Sequence, residues 1–203
     1  MGRPPNDETF TVHKNVLADR STFFEAAFSG RWTDSTESKP IELIDDQPET
    51  FNVYLRCAYQ GLCKVEWFKA ERFLPLFELY ILADKLGDLQ ACNSVVKEIM
   101  RYSDEIRDIP GIDAVKLCFG QTPESSPLRR LIVDYYLYEA GDQAIQEDSE
   151  KFPNAFLIAV LLEYRRLKQD NGNNTVCTIF SKTVSDAAAY HYHQHNDAFP
   201  KCV

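Results

Sequence analysis

The stretch FTVHKNVLADRSTFFEAAFSGRW, Phe10 to Trp32, carries the signals from which the rest of the chain can be read. Phe10-Thr11-Val12-His13 alternates and is rich in β-formers, so it predicts a short strand. Asn15 to Asp19 predicts one helical turn. Thr22-Phe23-Phe24-Glu25 has the spacing of a capping box, with Ser21 as the alternative cap. A helix through Phe28 follows, and Ser29-Gly30 predicts its stop. Phe24 and Phe28 are one turn apart, and with Phe23 they read as the core-facing side of that helix. Trp32, beyond the stop, reads as an edge aromatic suited to a protein interface. The single histidine, His13, has no nucleophile at a motif distance, so it reads as structural rather than as a general base.

Working outward, Ile41-Glu42-Leu43-Ile44 predicts a second strand. Asp46-Gln47-Pro48-Glu49 predicts a helix start with Asp46 as cap. The apolar stripe Phe51, Tyr54, Leu55, Ala58 carries that helix to Gly61. Val65 and Trp67 predict another short strand. Phe73 to Leu86 is apolar on two faces, which predicts a buried central helix. Gly87 stops it and Asp88 caps the next, whose face is Leu89, Cys92, Val96 and Ile99, ending near Tyr102. Helices alone follow: a weak one over 112–119, one from Ser126-Pro127 with the stripe Leu128, Leu131, Ile132, Tyr135, and one opened by Pro153 with the stripe Leu157, Val160, Leu161, Tyr164. The acidic stretch Asp134 to Glu150 reads as a solvated face and loop. Beyond Asp170 the periodicity ends and a partly ordered tail is expected.

The net charge of −9 argues against nucleic acid, whose binding needs a Lys/Arg surplus, and against an anionic membrane surface. No run of 18 apolar residues spans a bilayer, and the first residues lack the apolar core of a signal peptide. Six cysteines without a CxxC read as reduced thiols of a cytoplasmic or nuclear protein. Protein partners are the expectation. All eight glycines are isolated, so no phosphate loop is expected. Asp45-Asp46 reads as capping rather than as an acid–base pair. Cys57 and Cys63 have no paired histidine. No catalytic or cofactor-binding residue is assigned, and a metal-dependent or thiol enzyme is the least favoured class. The alternating His191, His193 and His195 share one side of an extended strand. With Cys202 they form a candidate zinc set, weighed against incidental histidines in a tail.

Three connected stretches resemble the BTB/POZ domain, in the form found in many fungal proteins. Phe10 to Phe28 is similar to the family pattern F-x-V-H-K-x-x-L-x-x-x-S-x-F-F-x-x-x-F. PIELIDDQPETFNVYLRCAYQG (40–61) is similar to the strand, acidic turn and helix that follow. FLPLFELYILADKLGDLQACNSVVKEI (73–99) is similar to the helix pair with its L-Y-x-L-A-x-K core. The resemblance covers about residues 8 to 102. It implies an α+β fold, a helical cluster flanked by a small sheet, with a non-enzymatic role in protein–protein binding.

The expected organisation is a BTB/POZ-like domain over 1–102, an all-helical extension over 103–169 and a tail over 170–203. The family strand before Phe10 is expected to be missing, which would leave an edge for a partner to cover. The family also implies pairing with itself or, in some members, recruitment of a cullin-type ubiquitin ligase. At the cullin motif, hydrophobic-x-Glu, this sequence has Thr50, Phe51 and Asn52. Thr50 is a weak anchor there and Asn52 lacks the charge.

Overall fold

The computed structural model describes residues 8–29, 40–69, 72–147, 149–170 and 192–195. Among these residues the secondary structure is helical. The helices are α1 (Lys14–Ala18), α2 (Thr22–Phe28), α3 (Pro48–Gln60), α4 (Phe73–Lys85), α5 (Leu89–Ile106), α6 (Ile112–Gln121), α7 (Pro127–Tyr138), α8 (Asp142–Glu147) and α9 (Asn154–Asp170). The expected small sheet is not seen among the described residues. Phe10 to His13 forms no strand, with extended dihedrals at His13, Ile41 to Leu43 runs into a turn at Ile44, and Val65–Trp67 is a 3-10 turn. The reason lies in where the backbone donors go. A strand needs a neighbour for its N–H groups. Here the His13 N–H donates to the Tyr59 hydroxyl at 3.1 Å, and the Val65 N–H donates to Glu98 Oε1 at 2.7 Å. Side chains have taken the donors that a ladder would use.

Helix α4 is central. Phe73, Leu76, Phe77, Leu79, Tyr80, Leu82 and Ala83 are all buried, as its two apolar stripes predict. It packs against α3, α5 and α6, while α7 packs against α9. One hydrophobic cluster runs from Leu17 to Phe156 and Tyr192, so the extension shares a core with the first half. Helix α5 is continuous across the expected boundary at residue 102. It ends at Arg107, which adopts φ 53°. Phe24 is buried and stacks on Phe28 with ring centroids 5.7 Å apart. Phe23, expected on the same core-facing side, is instead partly exposed.

The joint between α4 and α5 organises the first half. Gly87 has φ +67°, and a Cβ there would collide with the Thr22 hydroxyl. Only glycine combines that φ with so close an approach. Asp88 is fully buried and caps α5 by accepting from Ala91 N at 2.8 Å. It also pairs with Arg20 Nε at 3.0 Å and accepts from the Tyr54 hydroxyl at 3.2 Å. Burial, and then the Asp88 carboxylate, push the Tyr54 hydroxyl well above its ordinary range, so it stays a donor. Ser21 is the cap of α2, accepting from Phe24 N at 3.1 Å. Its own hydroxyl donates to the Leu86 carbonyl at 2.5 Å. The expected cap Asp46 does not cap α3. Gln47 takes that position without a side-chain bond, and Asp46 pairs with Lys85 at 2.7 Å.

The extension is held by an aromatic cluster and an arginine fork. Phe119, Tyr136, Phe152 and Phe156 meet edge to face or tilted, with centroids 5.0 to 5.4 Å apart. Arg129 lies 4.7 Å over the Phe119 ring and donates to the Phe119 carbonyl at 2.8 Å and to Thr122 Oγ1 at 3.1 Å. It thereby serves the orphan carbonyls at the end of α6.

Replacing Asp88 with alanine removes a helix cap and leaves Arg20 and the Tyr54 hydroxyl without their buried acceptor. The expected loss is about 3 kcal/mol in urea unfolding. A loss under about 1 kcal/mol would mean that the site relaxes and that Asp88 is not the organising group.

Candidate protein-interaction site

Thr50 and Phe51 lie at the start of α3 and face inward. Phe51 packs against Phe10 at 5.1 Å and stacks on Tyr54 at 5.8 Å between centroids. Thr50 is buried beside it, and Asn52 alone of the three is exposed. Trp32 lies outside the described residues. The structure therefore places one described interaction candidate, Asn52, at the surface.

His13 bonds through Nδ1 to the Tyr59 hydroxyl at 2.8 Å, a tie between the start of α1 and the end of α3. Cys57, Cys63, Cys92 and Cys118 are free and buried. A hydrogen bond with Cys57, and then burial, hold the Cys63 thiol well above its ordinary range. Burial pushes Cys118 up to about 12. Thiols held protonated in this way are poor nucleophiles.

Of the zinc candidates, His191 and Cys202 lie outside the described residues. His193 and His195 have ring centroids 6.1 Å apart. Burial, with Lys97 and His195 nearby, lowers the His193 pKa. Among the described residues no group of three or more His, Cys, Asp or Glu is placed to hold a metal ion. No helix among them is long and apolar enough to cross a membrane.

Helix α9, read from the sequence as carrying the apolar stripe Leu157, Val160, Leu161 and Tyr164, leaves part of its apolar surface exposed. Leu157, Ile158, Leu161 and Leu162 on α9 are 39%, 57%, 57% and 58% exposed. Their i, i+1, i+4, i+5 spacing makes one stripe along the helix. Beside it, Tyr136, Phe152, Phe156, Val160 and Tyr164 line a cavity of about 420 Å³, which Leu157 and Leu161 also border. The signal was present in the unbroken apolar run Ala155 to Leu162. A run of that kind fits a helix buried all round equally well, so the exposed side was not legible.

The tail docks at a different place. Tyr192 is buried, and its hydroxyl donates to Asp134 Oδ2 on α7 at 2.9 Å. Gln194 bonds to Asn93 of α5 and to Tyr80 and Asp84 of α4. Asp134, read from the sequence as part of a solvated acidic face, is half-buried, and burial pushes its carboxyl up to about 6.

A model of the BTB/POZ domain matches residues 5–98, a stretch that contains α1 to α4 and most of α5. No curated protein and no solved structure matches the chain. The BTB/POZ domain is a protein–protein interaction module. The matched stretch agrees with the resemblance read from the three motifs, and the helical core built on α3 to α5 is consistent with it.

The Asp134 carboxyl gives a pH dependence with a defined sign. Its folded-state value of about 6 lies above the ordinary 3.8, so the folded chain binds the proton more tightly than the unfolded one. That contribution to stability is fully present below pH ~4 and is lost as pH rises through ~6. Asp134→Asn keeps an acceptor for Tyr192 and removes the titration. Its urea midpoint relative to wild type is expected to rise between pH 4 and pH 7. A difference that stays constant over that interval would show that Asp134 titrates normally.

Proposed function

We propose that the chain is a non-enzymatic interaction module of the cytoplasm or nucleus that pairs with a second copy of itself. The observation that carries this reading is the exposed apolar stripe of α9. A contiguous apolar strip with polar surroundings is the usual mark of a protein contact. Charge complementarity supports a second copy as the occupant. Exposed Arg165 and Lys168 lie toward the end of α9, while exposed Asp142 and Glu150 precede its start. In an antiparallel two-fold pair centred near Ala159 and Val160, the middle of the stripe, the basic end of each helix meets the acidic approach to the other. The buried free thiols support a reducing compartment. A heterotypic partner using the same stripe is the alternative occupant.

Light scattering coupled to size exclusion is expected to read about twice the chain mass of 23.3 kDa. Leu161→Glu with Leu162→Glu is expected to return it to a monomer, and both side chains are exposed enough to change without disturbing the core. A wild-type chain that stays monomeric at tens of micromolar (about the range of weak dimers) would overturn self-pairing.

Recruitment of a cullin is the less favoured form. The family's anchor position falls on buried Thr50 and Phe51, so a cullin would meet Asn52 rather than an exposed apolar side chain. A cullin pull-down that Asn52→Ala abolishes would reverse that order. Working without a cofactor is part of the proposal. The Lys97 charge that helps to lower the His193 pKa would also oppose a divalent cation at that imidazole. Metal analysis after mild chelation is expected to find less than stoichiometric zinc, and one tightly held zinc per chain would overturn this part of the reading.

A further inference from the structure

The tail contact has the geometry of peptide recognition, and it is independent of the α9 stripe. One side-chain amide, that of Asn93, bonds the backbone of Gln194 twice. Asn93 Oδ1 accepts from the Gln194 N–H at 2.7 Å, and Asn93 Nδ2 donates to the Gln194 carbonyl at 3.0 Å. Such a pair is what a strand edge would supply to an extended peptide, and it reads backbone rather than side chain. The Gln194 side chain is read separately. Its Nε2 donates to the Tyr80 hydroxyl at 2.8 Å and to Asp84 Oδ1 at 3.0 Å. Two acceptors converging on one amide nitrogen favour Gln over Glu, whose carboxylate would face Asp84.

Two residues earlier, the Tyr192 ring is 3% exposed and its hydroxyl meets Asp134. Tyr192 has 3-10 backbone and Gln194 follows it two residues later, so both specific contacts come from one short stretch of chain. The intervening His193 lies near Lys97 and His195.

We propose that the groove formed by Tyr80 and Asp84 of α4, Asn93 of α5 and Asp134 of α7 is a binding site for a short peptide of the pattern Tyr-x-Gln. The chain's own Tyr192-His193-Gln194 fills it until a partner's segment of that pattern displaces it. A tethered occupant has an effective concentration in the millimolar range for short linkers. A partner peptide therefore meets a site already occupied and gains entry when the tail is drawn away. Pairing through α9 and peptide entry here use different surfaces, so either can fail alone.

The test uses the full chain carrying Tyr192→Ala and Gln194→Ala, which releases the tail. The probe is a fluorescein-labelled peptide Ala-Tyr-His-Tyr-His-Gln-His-Asn-Asp, the sequence of residues 189–197, followed by anisotropy. The released chain is expected to bind it about tenfold or more tightly than wild type does. Adding Asn93→Ala is expected to remove that gain, and a probe with alanine in place of the central Tyr and the Gln is expected to bind about tenfold or more weakly. Equal affinity of wild type and released chain, or equal affinity for the two probes, would overturn the proposal. So would the absence of binding to a released chain whose helical circular dichroism matches wild type. If the released chain loses its helical signal, the wild-type chain is examined by hydrogen exchange under saturating probe. Deprotection of the Gln194 amide of the chain itself is expected, and unchanged protection would overturn the proposal.

Discussion

One buried carboxylate, Asp88, fixes how the first half of the molecule closes. A charge removed from water costs several kcal/mol unless its lone pairs are met. Asp88 meets that cost with donors from three places: the Ala91 N–H at the start of α5, Arg20 after α1, and the Tyr54 hydroxyl on α3. The three converge only when α1, α3 and α5 stand in one register. The neighbouring backbone tightens the same point, because the Leu86 carbonyl accepts from both the Ser21 hydroxyl and the Phe23 N–H. Gly87 lets the chain turn within reach of Thr22. Leu86-Gly87-Asp88 thus joins the end of α4 to the start of α2 as well as to α5.

Glu98 repeats the arrangement on a smaller scale. It is buried, takes the Val65 N–H, and is held by Arg101 Nε at 2.8 Å. Arg101 in turn reaches Glu66 and Glu105. The segment around Val65 is fastened by a helix side chain, and so it needs no strand beside it.

These two carboxylates also mark the limit of what the sequence could tell. Helices α3, α4, α5 and α7 were legible because a 3.6-residue apolar period runs between recognisable stops, Gly61 and Gly87 among them. Asp88 was legible as a cap because a cap is a local event, one residue before its helix. Its other partners were not: Tyr54 and Arg20 are 34 and 68 positions away. The strands failed for the same reason. Alternation over four residues specifies an extended backbone, while pairing is a non-local fact that Tyr59 and Glu98 decided otherwise. Of the interaction candidates, Thr50 and Phe51 were placed by motif position alone, and their apolar contacts with Phe10 and Tyr54 turned them inward. The docking of Tyr192 and Gln194 carried no periodic signal, since its partner Asn93 lies 101 positions earlier.

The burial of α4 then constrains where partners can touch the molecule. A helix apolar on two faces needs neighbours on more than one side, or its leucines stay in water at roughly 1.5–3 kcal/mol each. Helices α3 and α5 supply part of that cover and α6, from the extension, supplies the rest. The stretch that matches the BTB/POZ domain therefore closes its core with residues beyond position 98. Because α5 runs unbroken across that limit and the tail bonds back to α4 and α5, the two halves behave as one packed body. The exposed apolar stripe then lies on α9, outside the matched stretch. The groove that holds the tail combines Tyr80, Asp84 and Asn93 from the matched stretch with Asp134 from the extension. The extension is thus a structural complement of the matched stretch, and it also supplies surfaces that the matched stretch by itself does not have.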